Sequence, residues 1–155
     1  MNCHTISFDG QVLNRGFWLY VIDIRSPDRR VLYVGRTGDS SSPHAGSPFS
    51  RIGQHLDVRP NAKGNALFRN LRAASIDPTL CTMSLYAVGP LHTEAADFEA
   101  HRPLRDRVAA LEKGLAAELR ARGHDVLGKH AAKGQPDAKA LEDVLSVIEL
   151  KLAFG

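Results

Sequence analysis

Two phenols, a guanidinium, an imidazole and a carboxylate stand out in this chain for their types and spacing. Tyr20 closes the run Trp18-Leu19-Tyr20, Tyr33 opens Tyr33-Val34-Gly35, Arg51 and His55 lie four residues apart, and Glu112 sits within LEKGLAAEL. Together they can handle a phosphate ester. A carboxylate anchors a hard divalent cation that keeps several of its waters. The rigid fork of an arginine matches phosphate oxygens, and a phenol or an imidazole can orient or deprotonate a water. A free phenol titrates at about pH 10 and an imidazole at about 6.5, so on intrinsic acidity His55 is the easier base at neutral pH.

These groups need a scaffold, and the pattern around them supplies one. Residues 17–24 are apolar, aromatic and β-branched, SPDRR reads as a turn, and a second such run covers 31–34, so a hairpin is expected. Residues 80–88 alternate as a strand should, which completes a three-stranded antiparallel sheet. The stretch from Gly35 to Arg51 is dense in Gly, Ser and Pro and reads as a surface loop. Ser50 is placed to cap a helix starting near Arg51, on which Arg51 and His55 share one face. Helical spacing recurs over 65–74. From Thr93, a good N-cap, a helical pattern runs to His101, where Pro103 interrupts or restarts it. Leu104, Val108, Leu111, Leu115 and Leu119 mark one face of a long helix closed by Gly123, with Glu112 beside that face. After a polar break at 130–137, periodicity returns over 138–152.

In this order and spacing the elements resemble the GIY-YIG endonuclease family, with WLY standing for GIY, YVG for YIG, Arg51 and His55 for the helix pair, and Glu112 for the later acid. The resemblance covers residues 16–128 of a single domain spanning 1–155, and leaves a helix over 137–153 as an addition. It implies an α+β fold: a small three-stranded antiparallel sheet flanked by helices. It also implies a metal-dependent endonuclease hydrolysing DNA phosphodiester bonds. Glu112 then holds Mg²⁺ or Mn²⁺, Arg51 binds the scissile phosphate, and Tyr20 and Tyr33 position or deprotonate the water with His55 assisting. Tyr20 and His55 both remain candidates for the general base. Gly35 serves the backbone at the end of the second strand, and Arg36 and Thr37 after it are expected to touch nucleic-acid phosphate. The family places an Asn after the Glu helix. This chain has none beyond Asn70, and His124, Asp125 and His130 are the polar residues available there. Trp18 stands where the family has a glycine, so a bulky side chain must be housed. The loop from Gly38 to Ser50 is longer than usual in the family. It is read either as reaching a nucleic-acid groove or covering the cleft, or as an insertion without a role.

Composition agrees with a globular domain: 155 residues, 43% hydrophobic and 24% charged, enough for one core. A net charge of +3 mildly favours a polyanion such as DNA as partner. Cys3 and Cys81 lack metal-ligand spacing and read as free thiols. The other histidines, His44, His92, His101, His124 and His130, form no zinc motif and read as scattered surface residues. The opening residues lack the basic-then-apolar pattern of a secretory leader, and no apolar run has membrane-spanning length, so a cytoplasmic chain with no membrane partner is expected. Two other readings stay open: a catalytically weak or inactive nucleic-acid-binding module on the same scaffold, and a homodimer formed through the apolar face of the last helix.

Overall fold

A computed structural model describes residues 1–39, 44–59 and 61–154. The chain is α+β. Its strands are β1 (Phe17–Arg25), β2 (Arg30–Arg36), β3 (Thr82–His92) and β4 (Val126–Leu127), and its helices are α1 (Pro48–His55), α2 (Ala66–Ala73), α3 (Phe98–Ala121) and α4 (Ala138–Phe154). The sheet order is β3-β1-β2-β4. β1 runs antiparallel to both β2 and β3, as the sequence pattern predicts. The expected three strands are joined by a fourth, however, and the sheet is mixed: β4 pairs parallel with β2, Leu32 with Val126 and Tyr33 with Leu127. Two residues are too few to show a period of two, which is why the sequence alone does not reveal β4.

β1 is buried along its first eight residues because helices cover both faces of the sheet, and such a strand reads as a continuous apolar run. Alternation then divides its side chains. Phe17, Leu19 and Val21, with Leu32 and Val34 of β2, pack against Val108, Leu111, Leu115 and Leu119 of α3 and Val144, Leu145, Ile148 and Leu152 of α4. Tyr20, Ile22 and Ile24, with Val31 and Tyr33, face Leu67 and Leu71 of α2 and the half-buried Ile52 and Leu56 in and after α1. Asp23 is the one acid buried in β1. Arg30 grips it with two bonds, at 2.8 and 3.0 Å, and the same guanidinium donates to the Leu152 carbonyl at 3.0 Å, tying α4 to the sheet.

Several expected boundaries shift. Ser47, not Ser50, caps α1, and Ser50 takes the third helical position in a reciprocal capping box. α3 starts behind Asp97, whose side chain accepts from the Ala100 N–H at 2.9 Å, because β3 continues through His92 and takes up the residues before Thr93. Pro103 neither stops nor restarts α3. It lies one turn inside the start, where the single backbone bond it removes involves the Glu99 carbonyl of the first turn. The apolar face of α4, expected to be available to a second copy, is buried against the chain's own sheet and α3, leaving Val147, Leu150 and Phe154 outside. No helix is long and apolar enough to cross a membrane among the described residues.

Trp18 is housed against β3. Its ring packs on Gly89, where a Cβ would come within 3.0 Å of the indole, and its Nε1 donates to the Asn14 carbonyl at 3.1 Å.

Candidate active site

Register explains the first contact of the site. Tyr20 of β1 lies opposite Gly35 of β2, and its ring crosses the neighbouring strand so closely that a Cβ at residue 35 would fall 2.5 to 2.6 Å from the phenol. Only glycine leaves room for it. The phenol then reaches His55 at the end of α1, with 2.6 Å between the Tyr20 oxygen and His55 Nε2. Tyr33 stands edge-on to the same imidazole at a centroid distance of 5.1 Å. Both tyrosines and the histidine are buried.

Burial sets their acidity. It pushes the Tyr20 phenol far above the ordinary range, against the nearby charge of Arg51, and raises Tyr33 to about 12, with Glu112 adding to the effect. It lowers His55 to about 4, helped by Arg51. Above that pH the imidazole is neutral, and the Tyr20 hydroxyl is a hydrogen-bonded acid rather than a free phenolate. His55 Nδ1 is buried without a hydrogen-bond partner among the described residues.

Arg51 comes from the first turn and a half of α1. Its guanidinium lies beside Tyr20 and Tyr33, donates to Gln54 at 2.8 Å and pairs with Asp39 at 2.7 Å. Sequence spacing does not single out Asp39, which belongs to a polar loop whose composition carries no sign of a partner. Of the loop expected at Gly38 to Ser50, residues 40–43 lie outside the described residues. The remainder is anchored by His101, which is fully buried in α3 rather than on the surface and meets the Gly38 carbonyl at 3.1 Å.

Glu112 approaches from α3. One carboxylate oxygen takes a bond from Arg36 Nε at 2.9 Å, and its charge is felt by Tyr20, Tyr33 and Arg51. Desolvation raises its pKa in spite of Arg36. The five groups that sequence spacing singles out therefore gather around one cluster, and Arg36 joins them through Glu112. Thr37 does not. It is fully buried; its hydroxyl donates to the Gly16 carbonyl and accepts from the Trp18 N–H, which fastens the end of β2 to β1. The phosphate contact expected of Thr37 is replaced by that structural role.

β4 meets β2 only as far as Tyr33, leaving the Val34 carbonyl exposed at the edge. His130 closes it: Nε2 donates to that carbonyl at 3.0 Å, while Nδ1 accepts from Arg120 at 3.2 Å. Burial and then Arg120 hold its pKa down, consistent with the neutral tautomer these two bonds require. His130 is thus the polar residue that braces the tyrosine strand, whereas Asp125 turns toward Arg29 at 4.0 Å.

Among the described residues no three His, Cys, Asp or Glu side chains are grouped to enclose a metal ion. A desolvated carboxylate nonetheless fits a hard cation that binds through one acid and retains water. Glu112 is that acid, and the bond from Arg36 is what a cation would compete with. No family model, curated protein or solved structure matches the chain.

Proposed function

We propose that the chain is a divalent-metal-dependent endonuclease of the GIY-YIG type that hydrolyses DNA phosphodiester bonds. The observation that carries this reading is the 2.6 Å contact between Tyr20 and His55, made beside Arg51 and in reach of the Glu112 charge. Four segments distant in sequence contribute to this one cluster.

Cleavage needs a water held in line with the leaving oxygen, a place for its proton and positive charge at the phosphate. Arg51 supplies that charge, since a scissile phosphate can take the place of Asp39 on its fork. A phenol raised so far by burial cannot wait as a phenolate, so Tyr20 and His55 act as a relay. As the water attacks, the Tyr20 oxygen receives its proton while the hydroxyl proton passes to His55 Nε2. Tyr33, edge-on to the imidazole, keeps that ring aligned. Glu112 would hold Mg²⁺ or Mn²⁺, which would lower the pKa of a bound water and offset charge on the phosphate oxygens. The protein and its Glu112→Gln variant, incubated with plasmid DNA and Mg²⁺ or Mn²⁺, test the reading. Nicking that needs metal and falls at least about 100-fold in the variant is expected, comparable to the effect of one strong electrostatic interaction in a transition state. Equal behaviour of the two proteins would remove the enzyme.

A second reading, a nucleic-acid-binding module without cleavage, draws on one feature: both candidate cations already hold acids, Arg51 with Asp39 and Arg36 with Glu112. DNA binding without nicking in the same assay would favour it.

A further inference from the structure

Between the end of β2, α3 and the segment after β4 lies a cavity of about 420 Å³ that the chemistry above leaves unused. Four cations line it, Arg36, Arg102, Arg105 and Lys133, against one acid, Asp106, which Arg105 already holds at 3.0 Å. Arg102 and Lys133 have no acidic partner among the described residues. Phe98 lies under the guanidinium groups of Arg102 and Arg105, 5.5 and 6.0 Å from its centroid, and keeps both in place.

The cavity meets the candidate site at Arg36. Arg102, Arg105, Asp106 and Ala109 recur at helical spacing on one face of α3, and the next turn of that face carries Glu112. Ten residues of helix span about 15 Å, the axial rise of roughly four base pairs. Arg36 belongs to both places: its Nε holds Glu112, while its Nη1 is buried and lacks a hydrogen-bond partner among the described residues. A buried donor left unpaired is costly, and an anion seated in the cavity offers it an acceptor.

We propose that this cavity is a second phosphate subsite, seating a backbone phosphate of the same nucleic acid that is bound for cleavage, a few nucleotides from the scissile bond. The proposal rests on the nucleic-acid reading given above. A phosphate there draws on Arg102, Arg105 and Lys133, and competes with Glu112 for Arg36, which frees the carboxylate only once substrate is in place.

Affinity for a fluorescent DNA duplex, measured over a range of salt with no divalent metal present, tests it. The proteins are the full chain, its Arg102→Gln and Lys133→Gln variants, and Lys151→Gln, a charge-matched control in the groove along β3 at the opposite edge of the sheet. Each cavity variant should weaken binding several-fold and lower the slope of log affinity against log salt by about one for every phosphate it no longer neutralises, with Lys151→Gln unchanged. Thermal melts confirm folding of these surface variants. Cavity variants that match the control, or a chain that binds no DNA, overturn the subsite. Calorimetry with inorganic phosphate separates a free anion as the source: uptake abolished in the variants while DNA binding is untouched also overturns the nucleic-acid assignment. The nuclease reading fails separately, in the plasmid assay. A chain that binds DNA through this cavity but does not nick it keeps the subsite and loses the enzyme.

Discussion

Two buried polar clusters on opposite faces of one sheet, around Asp23 and around Tyr20 and His55, are satisfied to different degrees. On the α3 and α4 face, Asp23 is buried and fully engaged, with both oxygens held by Arg30 and a further bond from Arg25. On the α1 and α2 face, the polar groups are closely packed but incompletely paired. His55 Nδ1 and Arg51 Nε are buried without hydrogen-bond partners among the described residues. A satisfied buried pair fixes structure, while unsatisfied buried groups are a reserve that a ligand can use. One residue of register along β1 decides which role a side chain receives.

The largest test of that contrast is Tyr20→Phe. The ring still fills its space over Gly35, but His55 Nε2 loses its buried partner, so stability should fall by about 1–3 kcal/mol. On the proposed mechanism, cleavage should fall about 100- to 1000-fold because the relay is missing its first member. Metal-dependent nicking rates and urea unfolding of the same preparation read the two quantities, and a loss of stability matching the loss of rate would place Tyr20 with the structural groups.

Acid is the next lever. The His55 pKa lies at about 4 in the folded chain and near 6.5 in the unfolded one, so between those values the unfolded state binds more protons and stability falls as pH falls. The window runs from about pH 6.5 down to 4, and a gap of this size is worth on the order of 3 kcal/mol. His55→Gln should flatten this slope in denaturation midpoints measured across the window. A slope that persists in the variant would assign the acid sensitivity elsewhere.

Asp23→Ala gives the smallest of the three effects and the opposite pattern. Breaking a fully buried pair costs about 3–5 kcal/mol, but Arg30 and Arg25 both reach solvent here and can be rehydrated, so about 2–3 kcal/mol is expected by that principle. The rate per folded molecule should be unchanged. Calorimetric unfolding and nicking at a temperature where the variant remains folded check both halves, and a reduced rate would mean that the two faces are coupled through β1.

What could be read from the chain alone is local. Apolar, β-branched runs marked β1 and β2, period-two alternation marked β3, helical spacing marked the helix of Arg51 and His55 and the long helix of Glu112, and Gly35 at the end of a strand pointed to close approach or an unusual φ. The α+β class follows from those elements. Boundaries moved where two signals competed: Ser47 and Ser50 are both good caps and their reciprocal bonds place Ser47 outside the helix, while between Thr93 and Asp97 the length of β3 decided.

The tertiary structure decided everything that depends on pairing between distant residues. Asp39 reaches Arg51, Arg36 reaches Glu112, His130 reaches Val34 and Arg30 reaches Leu152, and none of these partners is announced by spacing. Thr37 reads as a polar residue fit for phosphate, and burial between Gly16 and Trp18 turned it into a strand clamp. Sequence determines which residues can share a strand or a helix face, because those periods are fixed by backbone geometry. Which charged group ends beside which depends on how whole elements pack, and burial then sets the acidity of Tyr20, Tyr33 and His55, which no local pattern encodes.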